Sequence, residues 1–171
     1  MKFRFGLLLF SLVLFTTVGN AQIEWLTWED AIARNKQAPK KIMVDIYTEW
    51  CGWCKKMDKS VFTDPAVAKY VSDNFYAVKL DAEQRESLDY SGHTFKFKPD
   101  AGRRGAHELA ITLLEGRMSY PSIVYLDEGE NRITISPGFK PADKFIKELG
   151  FISGSHYKTK TYQEYLNSLG K

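Results

Sequence analysis

Of 171 residues only two are cysteine, and they stand in one short run, Trp50-Cys51-Gly52-Trp53-Cys54-Lys55-Lys56. With both thiols in a single motif, none is left to staple distant segments, so the pair is not a folding framework. What surrounds it fixes its local structure. Ile42-Met43-Val44-Asp45-Ile46-Tyr47 is rich in β-formers and apolar on both faces except at Asp45, the pattern of a buried central strand. From Cys51 to about Ser60 the residues read as a helix. Thiols three apart on a helix share one face. The first, Cys51, stands at the helix amino end, where unpaired N–H groups and the macrodipole favour a thiolate, so it is the expected nucleophile, exposed and ionisable. Cys54, one turn in and more buried, is placed to attack a mixed disulfide formed at Cys51 and release the reduced partner. A structural zinc site needs four ligands, and His93, His107 and His156 are scattered, so redox chemistry is favoured and no metal ligand is assigned. Copper on the two thiolates is the remaining metal option.

The rest of the chain supplies an α/β pattern around this junction. Thr27 can cap a helix with Glu29 and Asp30 in its first turn, and Ala38-Pro39 ends it. Asp64-Pro65 is an N-cap with proline behind it, followed by a short helix from Ala66 to Ser72. Phe75-Tyr76-Ala77-Val78-Lys79-Leu80 is long enough after the first strand to pair parallel to it through a right-handed crossover. Ser122 to Leu126 and Arg132 to Ile135 flank a turn-rich loop and form an antiparallel hairpin. Pro141 opens a helix through Leu149, and Thr161 to Leu169 adds a surface helix with Tyr162, Tyr165, Leu166 and Leu169 on one stripe.

The first 21 residues read as a secretory signal peptide: basic Lys2 and Arg4, an apolar run to Phe15, then small residues with cleavage after Ala21. An uncleaved anchor fits less well, since a spanning helix needs ~20 apolar residues. A lipid anchor is excluded because the first cysteine is Cys51. Residues 22–171 then suit one domain. Losing Lys2 and Arg4 takes the formal charge from +3 to +1, which gives no reason to expect nucleic acid or an anionic membrane as a partner.

Val44-Asp45-Ile46-Tyr47-Thr48-Glu49-Trp50-Cys51-Gly52-Trp53-Cys54-Lys55 resembles the active-site segment of the thioredoxin superfamily. Lys79-Leu80-Asp81 resembles the end of its next strand, Tyr120-Pro121-Ser122-Ile123-Val124-Tyr125-Leu126 its proline-led strand, and Pro137-Gly138-Phe139 the glycine before its last helix. The likeness runs from about Trp25 to Leu149. Cys54-Lys55-Lys56-Met57 and Val61 to Val67 are similar to bacterial periplasmic thioredoxin-like proteins and to the C-terminal domain of transmembrane thiol:disulfide interchange reductases.

The resemblance implies an α/β thioredoxin fold, a central mixed β-sheet flanked by helices, with an insertion at about 85–117 before the cis-proline strand and a C-terminal extension at about 151–171. It makes Pro121 the cis-proline, with substrate bound along the backbone before it as an added strand. It makes Asp45 the buried acid that relays the proton of Cys54, with a raised pKa, and Lys79 its tuning partner. Trp50, Gly52, Trp53, Tyr120 and Pro121 form the expected substrate surface. Gly52-Trp53 departs from the Gly-Pro of thioredoxin, so the reduction potential does not carry over. Tyr120 is bulkier than usual and narrows the range of accepted partners.

The expected protein is therefore a monomeric, periplasmic thiol-disulfide oxidoreductase. It needs no cofactor beyond the Cys51–Cys54 disulfide, acts on exported protein thiols and disulfides, and draws electrons from a membrane-bound thiol reductase. The alternative is a non-catalytic module that presents its insertion and Trp53 to a protein, copper or zinc. Ser91 to Gly105 within the insertion reads as a basic, turn-rich loop, and His107 to Leu114 as an amphipathic helix; the segment is a candidate specificity element.

Overall fold

Strand β2, Lys41–Tyr47, is buried along nearly its whole length, and the rest of the molecule is arranged around it. The computed structural model describes residues 22–170; the expected signal peptide and its cleavage point lie outside them. In chain order the preceding elements are β1, Trp25–Leu26, and α1, Trp28–Gln37. After β2 come α2, Gly52–Ser60, α3, Pro65–Asn74, and β3, Phe75–Asp81. Four short strands follow: β4, Leu88–Tyr90, β5, His93–Phe95, β6, Phe97–Lys98, and β7, Ala106–His107. Helix α4, Glu108–Leu113, leads to β8, Ser122–Leu126, and β9, Arg132–Pro137. Helices α5, Ala142–Ser153, and α6, Tyr162–Leu169, complete the chain.

The main sheet has the order β1-β3-β2-β8-β9. Strand β2 runs parallel to β3 and antiparallel to β8, so the sheet is mixed. Because successive strand side chains point to opposite faces, β2 feeds two cores. Ile42, Val44 and Ile46 pack with α1 and α4 residues such as Ala31, Leu109 and Leu113. Met43 packs on the other face with Met57, Val61, Phe62, Phe145 and Leu149. Asp45 has the parity of Met43, which turns its carboxyl toward the face covered by α2.

Helix starts follow the local chemistry. Thr27 Oγ1 accepts from Asp30 N–H at 3.1 Å. Asp64 caps the N–H groups of Ala66 and Val67, and Thr161 and Glu164 form a reciprocal capping box.

Several elements differ from the sequence reading. The two-residue β1, which pairs with Ala77 and Val78 of β3, is too short to show a period. Helix α5 runs on to Ser153 because Phe151 and Ile152 stay buried past Leu149, and α3 runs on to Asn74 with i,i+4 contacts in its last turn, Lys69 to Asp73 and Asn74 Nδ2 donating to Tyr70 O. The basic insertion is turn-rich, as expected, and also carries short strands that the sequence does not show: β4 pairs with β5 and β6 with β7. On α6 Tyr165 is buried, but Leu169 is 52% exposed and falls off the expected stripe. No helix among the described residues is long and apolar enough to cross a membrane.

Candidate active site

Cys51 is the N-cap of α2, and its Sγ accepts from Cys54 N–H at 3.0 Å. The two sulfurs are joined as a disulfide, with Cα atoms 5.3 Å apart. This corrects the expected exposure of the first sulfur. Cys51 is 5% exposed and Cys54 2%, because bonding to Cys54, which packs inward, draws Cys51 in with it. The exposed groups here are the flanking indoles, Trp50 at 52% and Trp53 at 57%.

Behind the pair lies an ionic cluster that runs from the buried Asp45 through the part-buried Lys79 to Asp58 at the surface. The parallel register sets Asp45 directly beside Lys79, and Lys79 Nζ lies 2.9 Å from Asp45 Oδ2. The same ammonium makes a close ion pair with Asp58. Three rings surround it, those of Trp25 at 5.0 Å, Tyr47 at 4.9 Å and Phe62 at 5.3 Å. Such a set of rings favours the cation, which stays partly open to solvent on the Asp58 side. Asp45 Oδ1 is buried with no hydrogen-bond partner in the protein. Burial pushes the Asp45 carboxyl up to about 6, against the downward pull of Lys79. Burial opposes the charge on Lys79, but the two carboxylates outweigh it and raise that pKa. A cleft of about 300 Å³ lined by Thr48, Cys54, Asp58 and Lys79 connects the cluster to the inner cysteine.

Asp58 was absent from the expected site. Its signal was positional: it follows Cys54 by four residues on α2, the spacing that puts two side chains on one helix face.

In front of the pair, the Tyr120–Pro121 peptide is cis. The pairing of Ile46 with Ser122 brings Pro121 to the end of β2 from which the cysteine loop leaves. Pro121 O accepts from Gly138 N–H at 2.8 Å, and Gly138 has φ of 85°, a conformation open to glycine at little cost. The ring centroids of Trp50 and Tyr120 are 6.0 Å apart, edge to face, and those of Trp53 and Phe139 5.4 Å apart. Lys56 Nζ sits 4.9 Å from each ring of the second pair. A shallow cleft of about 340 Å³ is bounded by Trp53, Tyr120, Pro121, Gly138 and Phe139. Burial pushes the Tyr120 phenol up to about 12, so it stays neutral. A Cβ on Gly52 would touch nothing within 4 Å, so this glycine leaves open space beside the disulfide. Phe139 is a second site residue that the sequence reading left unassigned.

Residues 11–153 match the family described as "Protein of unknown function, DUF255", Thioredox_DsbH. The chain belongs to this family.

An uncharacterized protein of Caenorhabditis elegans, B0495.5, is 29% identical over 125 residues, 72% of this chain and 15% of its own length. The thiol:disulfide interchange protein DsbD of Vibrio vulnificus is 36% identical over 61 residues, 36% of this chain and 10% of its own. The chain thus spans only a small part of these curated relatives. Among solved structures, "DsbH Oxidoreductase" superposes with a TM-score of 0.57 at 14% identity, covering 84% of this chain and 90% of that one. The fold is thioredoxin-like.

In this Thioredox_DsbH chain the nine residues selected from sequence gather around the ends of β2 and β3 and the start of β8. Asp45, Lys79 and Cys54 lie on the inner side. Trp50, Gly52, Trp53, Tyr120 and Pro121 lie on the outer side, with Cys51 between. Among the described residues no group of three or more His, Cys, Asp or Glu side chains is gathered where a metal could bind.

Proposed function

We propose that this protein is a thiol-disulfide oxidoreductase of the cell envelope that reduces or isomerises disulfides in exported proteins, with a membrane-bound thiol reductase as its electron donor. One observation carries the reading: a CxxC disulfide at a helix amino end has a buried carboxyl of raised pKa behind it and a cis X-Pro strand start beside it. The match to DsbD, though partial, supports a membrane donor.

In the reduced protein Cys51 attacks a substrate disulfide as thiolate, stabilised by the N–H groups at the start of α2. One substrate sulfur leaves as a thiol and the other is held in a mixed disulfide. Cys54 then attacks Cys51, releases the second substrate thiol and closes the bond seen here. That second attack needs Cys54 to lose its proton. Asp45 is the base for it, because a carboxyl with a pKa near the working pH can both accept and return a proton.

The test is reduction of insulin disulfides with dithiothreitol as electron source. Turnover well above background that disappears in Cys51→Ser is the expected result. Background rates for the native protein would end the enzyme reading. Equilibration of the pair with glutathione then sets the redox direction.

A further inference from the structure

The insertion builds a second wall beside the site. A groove of about 900 Å³ runs from Trp50 and Tyr120 to the loop carrying Arg103 and Arg104. That volume is near the top of the ~300–1,000 Å³ range of ordinary ligand sites, suited to a run of polypeptide better than to a small ion.

The loop is preformed. Gly102 and Gly105 flank the arginines with φ of 71° and 77°, and Ala101 N–H donates to Lys98 O at 3.2 Å. A Cβ on Gly105 would lie 2.3 Å from Phe97 Cζ and 2.9 Å from Lys98 O. Only glycine lets the chain lie this close on β6 in this conformation. The result is a backbone that sets Arg103 and Arg104 side by side at the surface.

Their charges are available. Glu108 pairs with Lys98 and lies as close to His93 Nε2, 3.5 Å each, and Glu83, a carboxylate that lines the groove at its Trp50 end, accepts from Trp50 Nε1–H at 2.8 Å and keeps its charge. Neither arginine has a carboxylate within ion-pair reach among the described residues. Arg104 instead lies over the Trp50 ring, 5.5 Å from its centroid. Trp50, the residue next to Cys51, is therefore shared between the redox site and the groove. Ala106, Ile111 and Met118 give the groove an apolar lining.

We propose that this groove holds an extended segment of the disulfide-bearing substrate, with an acidic residue close to the target cysteine bound by Arg103 and Arg104 and an apolar neighbour packed against Trp50 and Met118. The inference rests on the redox reading and adds a substrate preference to it.

The test compares two peptide disulfides, alike except that Asp and Glu flank the cysteine in one and two lysines in the other. Each kcat/KM is referred to the same protein's rate on dithiodipyridine, which cancels changes in thiol reactivity. The native protein is expected to favour the acidic peptide about fivefold to tenfold, less so as salt is raised from about 0.05 to 0.5 M. The double variant R103E/R104E reverses the preference. Equal rates for the two peptides, or a preference that survives the reversal, overturn the proposal. If not even dithiodipyridine is reduced, the redox reading falls, and binding decides the groove separately. Fluorescence anisotropy with serine in place of the peptide cysteine then supports the groove if binding is acid-selective and lost on reversal, and refutes it otherwise.

Discussion

Behind the disulfide a buried carboxyl, Asp45, meets a part-buried ammonium among rings; in front of it the rings are outside and the cations rest on them. On the inner side Lys79 lies among Trp25, Tyr47 and Phe62 and pairs with Asp45 and Asp58. On the outer side Lys56 and Arg104 lie over indoles that are more than half exposed. The same two kinds of group do different work because burial differs. Where water is excluded, a carboxyl is pushed toward a pKa useful for proton transfer. Where water remains, a cation on a ring adds little stability, but it leaves an adhesive surface for a partner.

The sharpest break in that division is at the sulfur between the two sides. Cys51→Ser is expected to cut insulin reduction by roughly a thousandfold or more, while Cys54→Ser permits the first attack and accumulates mixed disulfides visible on non-reducing gels.

Next in size is Asp45→Asn, which tests the inner side alone. Turnover near pH 7 should fall about a hundredfold, the scale of a lost general base, and stability should move the other way. The folded-state carboxyl has a pKa of about 6 against an ordinary 3.8, so the folded protein holds that proton more tightly than the unfolded chain. The native protein therefore loses stability as pH rises through this window and keeps the deficit above it. The variant should gain roughly 1–3 kcal/mol at about pH 8, with the gain gone near pH 4. Urea denaturation at the two pH values measures it, and a gain independent of pH would trace the effect to packing.

Asp58→Asn sharpens the comparison more gently. The Asp58 charge pushes Asp45 up, and without it Lys79 is left to Asp45 alone. The acidic limb of the pH–rate profile should shift to lower pH, with the rate near pH 7 changed about threefold or less. An unmoved limb would remove Asp58 from the relay.

On the outer side, Trp53→Ala should raise KM for insulin about threefold with a smaller change in kcat, as expected when a grip common to ground and transition states is lost. A fall in kcat with KM unchanged would place the indole on the inner side of the division.

Much of this was legible in the residues. The cysteine spacing, the apolar run of β2 interrupted only at Asp45, and Tyr120-Pro121 at the start of a strand each marked their places. Asp58 escaped because it looks like any polar residue on an amphipathic helix, and only the approach of Lys79 from β3 gives it a partner. Phe139 escaped because one aromatic after a glycine has no period. The short strands of the insertion escaped for a similar reason. Strands of two or three residues carry too little pattern, and their pairing is decided by partners elsewhere in the chain, as when Phe97 meets His107.

By itself the sequence determined the local junction of strand, cysteine loop and helix, the caps that start α1, α3 and α6, and the absence of any second disulfide, since these depend on neighbours within one or two turns. Only the tertiary structure decided which charges meet, how deeply the sulfurs sit and where the arginines stand relative to Trp50. Those follow from register and burial, which bring together groups distant in sequence and set the local dielectric. No residue carries that information in its own neighbourhood.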